Sequence, residues 1–245
     1  MVHLPESSTV VSQVVLLVAG GSGRRMGAAV PKQFLPLLGE PVLLRTLRRV
    51  AAAAPDALHL VVLPADEHGR WQAILADFPD APAHCVVAGG ATRLASVRAG
   101  LAALPPTVPP DAVVAIHDGV RPLVPAAVVV EAFRAAAAHG AAVAAVGLKD
   151  SVRHLLPDGS SETADRAAFR LVQTPQCFPL GVLRTAYAAL DAAAEYDVTL
   201  TDDASVVARA GYPIQLIDGA YENLKITTPE DLIVAEAMLQ TQIAA

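Results

Sequence analysis

Lysine is scarce in this 245-residue chain, with Lys32, Lys149 and Lys225 set against fifteen arginines. Cysteine is scarcer. Cys85 and Cys177 have no CxxC neighbour and no cysteine or histidine companion at metal-ligand spacing, so two buried thiols are the expectation. Charge is thin as well, at 17% of residues with a formal net charge of -6, and nothing suggests a nucleic-acid surface. Long apolar runs are missing. The stretches at 14–21 and 141–148 have strand length and fall short of the ~20 residues a spanning helix needs, so no membrane partner is expected. Residues 1–13 lack the basic start, apolar centre and cleavage site that mark export, and the expected location is cytoplasmic, with 1–12 a short extension.

What is abundant is apolar residue, 53% of the chain, arranged in a rhythm. Strand-like runs at 14–18, 58–63, 84–88, 112–116, 141–147 and 214–217 alternate with helix-compatible stretches at 40–53, 66–77, 92–103, 125–138, 179–194 and 202–210. This implies an α/β chain with a three-layer α/β/α, Rossmann-like, mostly parallel sheet, read as one domain over 13–245. Ligands of such sheets sit beyond the carboxyl ends of the strands, which directs attention to 19–33, 64–66, 89–93, 117–122 and 148–151. One segment departs from the rhythm. Residues 148–178 alternate polar and apolar around a "PDGS" turn at 157–160, as an antiparallel hairpin does, and a projecting arm over about 148–170 that packs on a second subunit is a plausible use.

The run "VAGGSGRRMGAAVPKQF" at 18–34 follows the first strand. Glycines after a strand offer backbone N–H groups to an anion. A dinucleotide fingerprint needs G-x-G-x-x-G, but Gly21, Gly23 and Gly27 give one residue too many, and no acid stands about 20 residues on at a strand end. Walker A needs a lysine followed by serine or threonine, and Lys32 is followed by Gln33. With both frames excluded, backbone donors remain, together with Arg24, Arg25 and Lys32, a density of charge that suits a nucleoside triphosphate. Retention of so few lysines hints that a compact ammonium is wanted where they stand.

Taken in order, "AGGSGRRMG…PKQF", "AGGATRLASV" at 88–97, "IHDGVRP" at 116–122, "TPQCF" at 174–178, "TDDAS" at 201–205 and "NLKITTPEDL" at 223–232 resemble the 2-C-methyl-D-erythritol 4-phosphate cytidylyltransferases of the nucleotide-diphospho-sugar transferase superfamily. The resemblance spans about residues 14–236. It implies an enzyme of non-mevalonate isoprenoid synthesis that joins CTP to methylerythritol phosphate, releases pyrophosphate, uses magnesium, and works as a homodimer with exchanged arms.

The same resemblance distributes roles. Arg25, Lys32 and Lys225 act on the transferred phosphoryl group. Ala19, Gly20, Gly21, Gly23 and Arg24 belong to the nucleotide loop, and Gly89, Gly90, Ala91 and Ser96 to the cytosine pocket. Arg93 serves either the pocket wall or the start of the next helix, and both readings stay open. Asp118 is the magnesium carboxylate, with a helix cap as the alternative. Arg121, Ser151, Arg166 and Thr201 receive the acceptor, the arm residues reaching a partner's site. His117 is expected to make a structural hydrogen bond, because the attacking phosphate is already ionised. Lys149 is expected to have no catalytic part. The chain departs from the family at Val18, Ala91, Gly119-Val120, Ser151 and Glu222.

The implied reaction is in-line attack of the acceptor phosphate on the α-phosphorus without a covalent enzyme intermediate. Two rivals remain. One is a cytidylyltransferase for another polyol phosphate, such as ribitol 5-phosphate; the other is a non-catalytic nucleotide-binding module.

Overall fold

The computed structural model describes residues 11–20, 30–192 and 200–244. Eleven strands occur there: β1 (Gln13–Val18), β2 (Pro36–Leu37), β3 (Glu40–Pro41), β4 (Leu58–Leu63), β5 (Cys85–Ala88), β6 (Val113–Asp118), β7 (Ala142–Gly147), β8 (Val152–Leu155), β9 (Ser161–Ala164), β10 (Arg170–Pro179) and β11 (Gln215–Asp218). The helices are α1 (Val42–Ala53), α2 (His68–Ala76), α3 (Arg93–Ala102), α4 (Ala126–His139), α5 (Leu180–Ala192), α6 (Asp203–Arg209) and α7 (Pro229–Ala244).

Seven strands form one sheet in the order β11-β7-β10-β6-β1-β4-β5. All its pairings are parallel except those of β10, which runs antiparallel to both β6 and β7. Alternation in the central strand sorts the core into two layers. Val15, Leu17 and Ala19 face α1, α4 and Trp71 of α2, whereas Val14, Leu16 and Val18 face α3, α5 and α6. Burial on both faces explains why these strands read as unbroken apolar runs.

Each of the six strand runs and six helix stretches expected from the sequence corresponds to an element of the structure. Two features differ from expectation. The 148–178 segment is not one hairpin: β8 and β9 form the projecting ribbon, but the polypeptide from 170 onward re-enters the sheet as β10, in its centre. Helix α7 was not foreseen, although "TTPED" carries proline at the first turn and acids behind it, and Asp231 Oδ2 accepts from the Thr227 and Thr228 amides at 2.8 Å each. Its buried Ala235 and Leu239 pack with Leu37, Val42, Val120 and Ile226 in a third, smaller cluster.

Cys177 is buried and Cys85 half-buried, and both are free thiols. Among the described residues no helix is long and apolar enough to cross a membrane.

Under α2 a histidine holds the chain's single tryptophan. The fully buried Trp71 donates through Nε1 to His84 Nε2 at 2.9 Å, so the His84 proton sits on Nδ1 and goes to the Pro82 carbonyl at 2.7 Å. Burial lowers the pKa of His84, and also that of His59. Above pH ~6.5 both folded and unfolded chains carry neutral imidazoles; below it the unfolded chain takes up protons that the folded chain resists. Stability is therefore expected to fall as pH drops from ~6.5 toward 5. His84→Gln should flatten the decline, read by urea titration of Trp71 fluorescence; an unchanged slope counts against it.

Candidate active site

The carboxyl ends of β1, β5 and β6 lie side by side, since β1 pairs with β6 and, through β4, neighbours β5. Val18 is in register with Asp118, and the Gly119 amide donates to the Val18 carbonyl at 2.9 Å. Ala19 and Gly20 continue from β1. Gly21, Gly23, Arg24 and Arg25 fall outside the described residues. The loop returns at a short 3-10 turn, Lys32–Phe34, which the buried Gln33 amide pins to the Ala19 carbonyl at 2.9 Å.

That turn aims Lys32 across the sheet end. Its Nζ donates to the carbonyl of Ile226 at 2.9 Å, a residue 194 positions away and next to Lys225. Lys225 Nζ lies 2.9 Å from Asp118 Oδ2. The segment carrying Lys225 is fixed from both sides. Asn223 Nδ2 donates to the Thr174 carbonyl at 2.7 Å, and its own carbonyl accepts from Arg121 Nη1 at 2.6 Å. The Ile226 amide bonds the Val120 carbonyl at 2.9 Å.

Asp118 is the hub. It ends β6, its amide donates to Thr174 Oγ1 at 3.1 Å, and its carboxylate meets Arg93 and Arg121 at 3.4 Å each besides Lys225. Burial pushes its carboxyl up, but Arg93, Lys225 and Arg121 outweigh burial and hold it well below the usual carboxylate range. It is ionised at any physiological pH. Arg121 is itself buried, which lowers its pKa against the pull of Asp118, yet a guanidinium remains charged.

The loop after β5 shows why small residues stand there. Ser96, 1% exposed, accepts from the Gly90 amide at 3.2 Å and donates to the Thr92 carbonyl at 2.9 Å, closing the turn into α3. Its hydroxyl thus shapes the loop in which the cytosine pocket is expected. A Cβ on Gly90 would come within 2.5 Å of the Ala95 Cβ, and one on Gly89 within 2.9 Å of Ser96 Oγ. The Gly89 amide is taken by the Leu63 carbonyl at 2.7 Å and the Gly90 amide by Ser96 Oγ, while Ala91 is exposed at the tip of the loop. Thr92 caps α3 by accepting from the Ala95 amide at 3.1 Å.

Arg93 is the first residue of α3, at the helix start that one of its two readings names. It lies 2.7 Å from Asp203 Oδ2 and turns its Nε toward Asp118. Sequence reasoning missed Asp203, and with it Tyr187, whose hydroxyl donates to Asp203 Oδ1 at 2.6 Å. A fully buried acid in "TDDAS" directly before an apolar helix stretch was the available signal.

The remaining expected residues lie apart from this hub. Ser151 and Arg166 are exposed at the root of the arm, and Arg166 Nη1 donates to the Lys149 carbonyl at 2.6 Å. Thr201 is exposed just ahead of α6. Lys149 Nζ sits 3.8 Å over the Tyr221 ring, a structural cation–π contact. His117 is fully buried beside the Arg121 backbone, in keeping with the structural role expected of it. Burial and the nearby Arg121 lower its pKa to about 3, which keeps it neutral.

Comparison with known proteins agrees with the geometry. The model of the 2-C-methyl-D-erythritol 4-phosphate cytidylyltransferase family matches residues 13–241. The protein of that name from Bacteroides fragilis is 42% identical over 227 residues, 93% of this chain and 99% of the relative. That from Porphyromonas gingivalis is 45% identical, covering 91% and 96% respectively. Among solved structures, 4-diphosphocytidyl-2C-methyl-D-erythritol synthase from Anaerococcus prevotii has a TM-score of 0.79 at 28% identity, covering 94% of this chain and 99% of its own. The Thermus thermophilus cytidylyltransferase has a TM-score of 0.74 at 34% identity, covering 93% and 99%.

Proposed function

This chain belongs to the 2-C-methyl-D-erythritol 4-phosphate cytidylyltransferase family, and from that premise we propose how its own residues move the cytidylyl group of CTP onto methylerythritol phosphate. The activity is that of a nucleotidyltransferase of non-mevalonate isoprenoid synthesis. One observation supports the residue assignment above the rest: Lys32 reaches the carbonyl of Ile226, beside Lys225, from the opposite end of the sequence.

An oxygen of the acceptor phosphate attacks the α-phosphorus in line. A new P–O bond forms as the bond to the bridging oxygen breaks, and pyrophosphate departs with that electron pair. No base is required, because the attacking oxygen is already an anion. Lys32 and Lys225 exchange their present oxygen partners for phosphate oxygens and, together with Arg25, offset the charge that crowds onto the α-phosphate. The glycine backbone at 89–91 faces the cytosine edge, and Ala19 and Gly20 line the nucleotide loop. Arg121, held on the Asn223 carbonyl, and Thr201 orient the acceptor.

Magnesium fits this donor set in a limited way. A hard cation takes oxygen ligands and is commonly held by one or two carboxylates plus substrate phosphates, and Asp118 is an ionised carboxylate in the right setting. Asp118 would hold the ion together with substrate phosphate oxygens and water. When bound, the ion neutralises phosphate charge.

The acceptor end is completed by Ser151 and Arg166 of a second copy of the chain. Their arm is supported as an interface by exposed apolar residues at and near it, Leu155, Phe169, Leu171 and Val172. The working form is accordingly a homodimer in the cytoplasm.

Pyrophosphate release from CTP should be measured with methylerythritol phosphate, with ribitol 5-phosphate and with no acceptor. Release only with the first is expected. Preference for ribitol 5-phosphate, or CTP binding without turnover on either, overturns the reading.

A further inference from the structure

A chain of buried charge runs from α5 to the hub of the site. Tyr187 donates to Asp203 Oδ1 at 2.6 Å, Asp203 Oδ2 lies 2.7 Å from Arg93 Nη1, and Arg93 Nε lies 3.4 Å from Asp118 Oδ1. Arg93 is thus shared between two carboxylates and is drawn closer to the one farther from the phosphate-binding loops. Asp203 is fully buried, and burying a carboxylate without a task is costly.

The anchor is also stiff. Gln176 of β10 accepts from the Ala204 amide through Oε1 at 2.9 Å and donates to Asp202 Oδ2 at 2.9 Å, while Asp202 caps α6 by a reciprocal bond with Ser205. Asp203 therefore cannot follow Arg93; Arg93 must come to it. The guanidinium is a rigid fork suited to grip both oxygens of a carboxylate. Free of Asp203, it has every electrostatic reason to close on Asp118 in that bidentate fashion, and Asp118 would then have little capacity left for incoming reactants.

We propose that Asp203, held by Tyr187, is a positioning residue that limits Arg93 to one long contact with Asp118, Nε to Oδ1 at 3.4 Å, and so keeps that oxygen exchangeable for the reacting phosphates and their cation. This rests on the assignment of Asp118 made above, and it adds two residues, Asp203 and Tyr187, that touch no substrate.

The test is a pair of variants assayed on CTP and methylerythritol phosphate beside the parent enzyme, whose own activity separately checks the functional reading. Asp203→Asn keeps the shape and removes the charge. Its kcat should fall roughly 10- to 100-fold, the usual effect of losing a supporting residue around a ligand, with KM for both substrates little changed. Adding Arg93→Gln should then restore kcat at least several-fold over the single variant, because the residue that closes on Asp118 is gone. A merely structural role gives the opposite, a double variant as slow as or slower than Asp203→Asn. A crystal structure of Asp203→Asn should also show both Asp118 oxygens in hydrogen-bond contact with Arg93. Unchanged kcat in the single variant, absence of recovery in the double, or an Arg93 that has not moved overturns the proposal. Should Asp203→Asn not fold, Tyr187→Phe with and without Arg93→Gln reads the same pattern at smaller amplitude, with the same outcomes deciding.

Discussion

Lys225→Met and Lys32→Met should each lower the turnover of CTP and methylerythritol phosphate by ~10²–10³-fold, the range for losing one preorganised charge contact to a transition state. Methionine keeps the apolar stem and removes only the ammonium. The Lys225 side chain is 39% exposed, so its loss costs little packing, and the melting temperature should stay close to that of the parent. Arginine is not an adequate substitute at either place. Its flat fork is larger and arrives at a carbonyl or phosphate with different geometry, so Lys→Arg variants should recover only part of the rate. Parent-like kcat in both methionine variants would sink the assignment of the two lysines.

Asp118→Asn should cost both activity and fold. The carboxylate is 8% exposed and faces Arg93, Arg121 and Lys225; its neutral replacement leaves Arg121 buried with the Asn223 carbonyl as its remaining polar partner. Removing one member of a buried ion pair typically destabilises by ~3–5 kcal/mol, and urea unfolding at neutral pH should show a loss of that order. The folded-state pKa of Asp118 is depressed, so its stabilising contribution is fully present above the unfolded value of ~3.9 and is lost as pH falls through the lower folded value. The gap between parent and variant should hence be constant across pH 5–8. A stability equal to that of the parent would mean that the three cations are content without this anion.

Local chemistry made much of this legible in advance. Burial of β1, β4, β6 and β7 on both faces wrote itself into the sequence as apolar runs, and of the polar segments behind those runs 19–33, 89–93 and 117–122 meet through Lys32, Arg93 and Asp118 around the stretch that carries Lys225, whereas 148–151 lies apart. Sheet order is a different kind of information. Residues 170–178 alternate whether they stand in a free ribbon or in mid-sheet, so periodicity could not tell that β10 lies between β6 and β7. The same holds for Arg93. Its partners Asp118 and Asp203 stand 25 and 110 positions away, and only the fold, which seats α3 on β1, β4 and β5 and brings both acids to its first turn, makes one guanidinium answer to both. Ser96 is expected at the cytosine pocket by resemblance alone, and its bonds to Gly90 and Thr92, which shape the turn into α3, depend on a backbone course that no periodicity shows.

The place of β10 also governs the order in which the polypeptide can be assembled. β6 and β7 leave the ribosome first, yet they never touch as neighbours, because a strand made some thirty residues later belongs between them. Until that strand emerges both present bare hydrogen-bonding edges. Insertion of β10 closes the gap and sets Thr174 beneath Asp118, whereas Asn223 and Lys225 are made later still, so the Asp118 carboxylate has no finished bed in any nascent chain shorter than about 226 residues.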